Sequence, residues 1–367
     1  MKPENKTLLL TKKDINSILN EYGVDKVMDD LIHKLDLAIQ EYDPSNIHIP
    51  IRDGFNYTTP LTGLVEWMPV YQKGKDVVIK IVGYHPNNPA KFNLPTILST
   101  ISTYDTSTGH LKSLIDGVLL TALRTGASSA VITKVLAHPD SKTLGLIGAG
   151  AQAVTQLHAL SRMFDLEKVL IYDIDQATMA SFESRIESLN LNCQIIHSDI
   201  KSIVEQSDII CTETSIDVGA GPLFDNINSK PHVHINAVGS DFPGKVEIPL
   251  SLLKESKVIP DFLDQALIEG ECQRLDQEYI FDDWVKILKN RKDYTHLQNE
   301  RTVFDSTGWA LEDFVVSNLF TSYAAQKGIG ALMEIENLST DVKNPYASVN
   351  HSSVSIDNLE AILAKTT

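Results

Sequence analysis

Thr143-Leu144-Gly145-Leu146-Ile147-Gly148-Ala149-Gly150-Ala151-Gln152-Ala153 runs from an apolar segment through two spaced glycines into the helical pattern AQAVTQLHALSRMF. A strand that turns into a helix through GxGxxG/A is an arrangement suited to binding a dinucleotide. Gly148 permits the tight turn, Gly150 lets the backbone approach a pyrophosphate, and Ala153 allows the helix to pack close to the sheet. Ala151 and Gln152 open the helix, where free N–H groups and the helix dipole favour an anion. The next strand-like segment ends in Ile171-Tyr172-Asp173, twenty-five positions after Gly148. A carboxylate there accepts hydrogen bonds from the adenosine ribose and repels a 2′-phosphate, which favours NAD over NADP. The alternative for Asp173 is a cap on the following helix. Thr212 and Thr214, at the end of a later strand, fall where such a sheet opens its cofactor crevice, or are ordinary strand-end hydroxyls.

Outward from this loop, strand-like and helical segments alternate from Lys142 to about Val303. That alternation predicts an α/β fold with a Rossmann-type, doubly wound parallel sheet covered on both faces. The residues before it have a different texture. Residues 14–40 read as one helix, whereas 46–51, 63–70, 76–83 and 96–104 are rich in Ile, Val and Thr and punctuated by Gly, Pro and Asn, as strands are. The run VLLTALRTGASSAVITKVLA, residues 118–137, reads as a long helix bridging two domains. A second helix begins near Trp309, ends at Gly328 and returns to the first domain. The organisation expected is a discontinuous α+β substrate-binding and dimerisation domain, 1–125 completed by 318–367, around a cofactor domain at 126–317. The tail beyond Asn344 reads as loosely held.

Composition narrows the function classes. The 367 residues include 32 basic and 48 acidic side chains, a net charge of −16 that argues against a nucleic-acid partner. Cys193, Cys211 and Cys272 are odd in number and far apart, with no metal-ligand spacing, so they read as free thiols and no metal is expected. No apolar run approaches the ~18–20 residues of a membrane span, and MKPENKTLLLTKKD is not patterned as a signal peptide. A cytoplasmic setting is the expectation.

The second informative stretch is Ile235-Asn236-Ala237-Val238-Gly239-Ser240-Asp241-Phe242-Pro243-Gly244-Lys245. An apolar strand here delivers Asp241 to the carboxyl edge of the sheet, where a shielded carboxylate can exchange protons with an amine or simply cap the turn. Arg124 stands among apolar and small residues of a helix and must snorkel, pair internally or meet an anionic ligand.

With GLIGAGAQA, LLTALRTGASSA, HINAVGSDFPGKVE, VFDSTGWALEDF, VEWMP and IVGYHPNNP together, the sequence resembles the ornithine cyclodeaminase/μ-crystallin family over residues 50–328, and its cyclodeaminase branch in particular. The resemblance implies that Asp241 is the catalytic aspartate. It implies that Arg52, Lys80 and Arg124 bind the substrate carboxylate and that Glu66 and Met68 contact the substrate side chain. The implied cofactor contacts are Thr96, Gly148, Gly150, Ala151, Gln152, Asp173 and Thr212. His85 in GYHPNNP reads as a structural histidine.

The implied reaction is an NAD-dependent, redox-neutral cyclodeamination. A basic L-amino acid is oxidised at Cα, its distal amine attacks that carbon, ammonia leaves, and the ring is reduced. L-Ornithine to L-proline is the first expectation, and L-lysine to L-pipecolate differs by one methylene. Net imine reductases, amino-acid or opine-type dehydrogenases, and non-catalytic μ-crystallin-like binders are the other activities the resemblance allows. It also implies a homodimer, or a larger homo-oligomer, built through the first domain's sheet.

Overall fold

The computed structural model describes residues 6–225, 228–339, 341–347 and 349. Seven strands form a wholly parallel sheet in the order Gln194–His197, Lys168–Tyr172, Thr143–Ile147, Ile209–Thr212, His234–Ala237, Thr302–Asp305, Lys257–Pro260. Their side chains are almost continuously buried, as expected when helices cover both faces. The chain leaves the central strand Thr143–Ile147 on one side and returns on the other as Ile209–Thr212. Strand order reverses there, and the carboxyl ends of these two strands open the crevice where such sheets bind ligands.

The second sheet is mixed. It runs Ala331–Met333, Thr7–Leu10, Leu111–Asp116, Ile97–Asp105, Asp76–Tyr84, Gly63–Gln72, Ile47–His48, with Asp53–Tyr57 also paired to Gly63–Gln72. Only Thr7–Leu10 on Leu111–Asp116 is parallel; the other pairs are antiparallel. In its centre Met68 pairs directly with Lys80, and Gly54 with Glu66.

Two helices join the sheets. Val118–Leu136 is buried along most of its length, and Gly126 lets it cross close to Ala151–Ser161, since a Cβ there would meet the Thr155 carbonyl oxygen at 2.5 Å. Ala310–Lys327 ends at Gly328, whose φ of +63° closes the helix in the left-handed region. This helix packs on Val118–Leu136, on Val24–Gln40 and on the strands Gly63–Gln72 and Asp76–Tyr84. A single apolar core therefore includes Met68, Val78 and Ile101 of the mixed sheet, Leu120 and Phe320 of the helices, and Phe304 of the parallel sheet.

Some local expectations needed correction. Residues 14–40 are not one helix but two, Lys12–Tyr22 and Val24–Gln40, divided by Gly23 at φ +82°, which no right-handed helix accommodates. The segment 177–190 breaks into Gln176–Ala180, Phe182–Ile186 and a 3₁₀ turn, Glu187–Leu189. Thr7–Leu10 and Leu111–Asp116 were not anticipated as strands, being short and bordered by polar residues. Of the expected loose tail, residues 348 and 350–367 lie outside the described residues. No described helix is long and apolar enough to cross a membrane.

Candidate active site

The glycine loop has the geometry an anion requires. Gly148 sits at φ +108°, and a Cβ there would lie 2.9 Å from the Glu213 carbonyl oxygen. Gly150 precedes the helix Ala151–Ser161 with no side-chain cap, and a Cβ built on it would meet nothing within 4 Å. The first-turn N–H groups thus have no side-chain cap, and Ala153 is fully buried. Ala151 is exposed, and Gln152 accepts the Thr155 hydroxyl at 3.1 Å.

Asp173 braces this loop. Its carboxylate accepts the Ala149 N–H at 2.8 Å and the Asp175 N–H at 2.9 Å, whereas the cap of the next helix is Asp175, which accepts the Ala177 N–H. Arg185, which the sequence did not single out, donates to the Ala149 carbonyl at 2.6 Å and the Gly150 carbonyl at 3.3 Å. The residues present fit a dinucleotide: an uncapped helix start for the pyrophosphate and a carboxylate at the end of the neighbouring strand. Thr212 is fully buried on the adjacent strand. Thr96 offers its carbonyl to the His85 N–H at 2.9 Å and shows no bond to the loop.

The three expected carboxylate-binding cations come together from separate elements, each already engaged by acids. Lys80 is 1% exposed, donates to Asp313 Oδ1 at 3.0 Å and lies 2.8 Å from its Oδ2. Arg124 pairs with Glu312 and lies 3.2 Å from Asp313, with the Cα of Gly308, at φ +90°, packed against its guanidinium. Arg52 donates to the carbonyls of Thr307 and Gly308 at 2.5 and 2.8 Å and lies 3.1 Å from Glu269 and 3.8 Å from Glu66. Internal pairing, one alternative for Arg124, is thus what the folded chain shows.

Burial sets the protonation of this cluster. It lowers the Lys80 ammonium to about 8, with Arg124 adding to the effect and Asp313 opposing it. For Arg124, burial works against the charged form, but Asp313 and Glu312 outweigh it and hold the pKa above its ordinary value. Burial raises Glu312 to about 7 and Glu269 to about 8, against the pull of Arg124 and Arg52 respectively. Glu66 is raised by burial too, with Arg52 opposing and Asp241 reinforcing the shift.

Asp241 lies in the turn after His234–Ala237, its side chain 31% exposed, and accepts the Lys245 ammonium at 2.8 Å. Lys245 is buried and stands 5.2 Å above the Tyr84 ring. The turn is fixed from beneath. Glu247 accepts the Gly239 N–H at 3.0 Å and both the N–H and the hydroxyl of Thr214, tying together the ends of two parallel strands. Ile49, Pro50, Met68, Phe262 and Trp309 line part of a small cavity of about 10 Å³ beside Arg52. His85 bonds Tyr57 through Nε2 at 2.8 Å and packs over Gly63.

Sequence reasoning missed Glu312, Asp313, Glu269, Lys245 and Arg185 as partners. Three had a signal: Lys245 lies four positions after Asp241 in DFPGK, and Glu312 and Asp313 stand at the start of an otherwise apolar helical pattern. Glu269 and Arg185 had none.

The architecture defines the class: a dinucleotide-binding α/β fold that also carries a buried cluster of paired cations and acids. Residues 12–328 match the Ornithine cyclodeaminase/mu-crystallin family, and the chain belongs to that family. It is 37% identical to the L-lysine cyclodeaminase of Streptomyces rapamycinicus, over 93% of this chain and 99% of that one. It is 34% identical to the ornithine cyclodeaminase of Agrobacterium fabrum over 69% and 70%. A solved lysine cyclodeaminase, described for its recognition of L-lysine, L-ornithine and L-2,4-diaminobutyric acid, superposes with a TM-score of 0.90 at 42% identity, covering 93% and 99%. An archaeal alanine dehydrogenase dimer with bound NAD gives 0.78 at 28% identity, covering 90% and 100%.

Proposed function

We propose that the protein uses NAD to cyclodeaminate a basic L-amino acid, L-lysine ahead of L-ornithine, releasing ammonia and a cyclic imino acid. The observation that carries this reading is the charge of the pocket. Five acidic side chains, Glu66, Asp241, Glu269, Glu312 and Asp313, stand against four cations, Arg52, Lys80, Arg124 and Lys245. A ligand with one carboxylate and two ammonium groups reduces that excess of acid, whereas a keto acid would add to it. The order of substrates rests on the lysine cyclodeaminases that match nearly the whole chain. The sequence alone placed L-ornithine first. A single methylene is discriminated by only ~1–3 kcal/mol, so both substrates turn over.

Gly148, Gly150, Ala151, Gln152 and Asp173 would hold the cofactor, which when bound supplies reversible hydride acceptance and leaves no net redox change. Arg124, Lys80 and Arg52 orient the substrate carboxylate, which joins the acids already on those cations. Asp241 takes a proton from the substrate nitrogen onto its carboxylate, one oxygen of which is held by Lys245, and returns it to the departing ammonia. Met68, Phe262 and Trp309 exclude water from the cavity beside Arg52. The described residues of 1–125 and 318–367 make up the substrate half and those of 126–317 the cofactor half. The protein works as a homodimer through the mixed sheet, whose Phe55, Ile81 and Leu98 are exposed.

The test is incubation with NAD and each diamine, with products identified by mass spectrometry. Ammonia with L-pipecolate or L-proline at constant NADH absorbance is the expected result. A net change in NADH absorbance would instead place the protein with the dehydrogenases of its family, and no ammonia from either diamine would refute the proposal.

A further inference from the structure

Arg52 faces two backbone carbonyls and two acidic side chains at once. Its Nη2 is spent on two backbone carbonyls, at Thr307 and Gly308. Its Nη1 alone faces two carboxylates, 3.1 Å from Glu269 Oε1 and 3.8 Å from Glu66 Oε2. Asp241 is close enough to act on both of those acids. Glu269 is 2% exposed, and its Oε1 has no hydrogen-bond partner even though it faces the arginine. A buried carboxylate oxygen without a donor is costly, and structures retain such groups where a ligand completes them.

The missing component is a donor that carries positive charge. An alkylammonium brings three N–H groups and one charge, enough to reach Glu269, Glu66 and their surroundings together. A neutral aliphatic terminus would leave the oxygen as it stands. The α-amino group does not fill the same role by elimination, because Asp241 already serves the reacting nitrogen at Cα in the proposed mechanism.

We propose that Glu269, together with Glu66, recognises the distal ammonium of the substrate and so selects diamino acids over their mono-amino counterparts. This rests on the cyclodeaminase reading and names the residue that sets its substrate class. Glu269 lies on the turn before the 3₁₀ segment Glu271–Arg274, outside both the glycine loop and the Asp241 turn.

The experiment compares wild type with Glu269→Gln, which keeps shape and removes charge, and with Glu269→Asp as the conservative control. Steady-state KM is measured for L-lysine and L-ornithine. Binding of L-lysine and of L-norleucine, the same chain without its terminal ammonium, is measured by calorimetry on the NAD-loaded protein. The expected result is a rise of roughly 10- to 100-fold in KM and Kd for the diamines with Glu269→Gln, unchanged L-norleucine binding, and partial recovery with Glu269→Asp. Equal weakening of L-lysine and L-norleucine would overturn the proposal by assigning Glu269 to the support of Arg52. Unchanged L-lysine binding would overturn it as well. If wild type releases no ammonia, the cyclodeaminase reading fails, while the two calorimetric titrations still decide the role of Glu269.

Discussion

The glycine loop and the charged pocket are both built to hold a charged ligand, by opposite means. The loop is local. Gly148, Ala149, Gly150, Asp173 and Arg185 meet across at most 36 positions, and most of the bonds use backbone atoms. The pocket is assembled from distant pieces: Lys80 meets Asp313 across 233 positions and Arg124 meets Glu312 across 188. A site made of backbone N–H groups tolerates most side chains around it. A site made of buried charges needs every partner, because an unpaired ion in a dry interior is far costlier than an unfilled turn.

That difference fixes the order of expected damage. Among the described residues, Arg124→Met removes the one ion-pair partner of the Glu312 carboxylate and one of two on Asp313, both essentially unexposed. Unfolding in urea is expected to show a loss of about 3–5 kcal/mol, together with loss of substrate binding. Full stability in this variant would mean that the pocket does not depend on its internal pairing. Asp241→Asn acts on chemistry rather than folding, since its side chain is partly exposed. We expect kcat to fall roughly 10²–10⁴-fold with the NAD-induced shift in Tm retained. Equal turnover would remove Asp241 from the mechanism.

The pocket's acids also make stability depend on pH. Glu269 and Glu271 titrate near 8 in the folded chain, and Glu312 and Asp305 near 7, all raised first by burial from ordinary values of 4.5 or 3.8. The folded protein therefore keeps protons that the unfolded chain has already released. Their stabilising contribution is complete below about pH 4 and is lost as pH rises through 7 and 8. Thermal denaturation of the ligand-free protein between pH 5 and 8.5 should show Tm falling with pH. Lys80, lowered to about 8, adds a second signature, a substrate KM that rises above pH 8 as the ammonium loses its proton. A KM that stays flat through pH 9 would detach Lys80 from carboxylate binding.

How much of this was legible follows the same division. The parallel sheet, the loop and the placement of Asp241 at a strand's carboxyl end could be read because periodicity and glycine spacing encode backbone geometry directly. The break at Gly23 was missed because apolar spacing continues through it, and only the positive φ reveals that the helix has stopped. Arg52, Lys80 and Arg124 were reached through family resemblance. Their partners Glu269, Glu312 and Asp313 were not, because one-dimensional spacing says nothing about which distant acid meets a buried cation.

Asp173 offers the finest test of the contrast, since it is a charged side chain that works through backbone. Both of its oxygens accept N–H groups, from Ala149 and Asp175, at 2.8 and 2.9 Å. Asp173→Asn keeps one acceptor oxygen and turns the other into a donor facing an N–H. One bond is lost and a donor–donor contact appears, so a stability loss of about 1 kcal/mol is expected. The lost charge has a separate effect. Repulsion of a 2′-phosphate weakens while a ribose hydroxyl loses its acceptor, so the ratio of NAD to NADP affinity should fall toward unity in calorimetric titrations. If that ratio stays constant while stability drops, Asp173 serves only to brace the loop, and the preference for NAD resides in other residues.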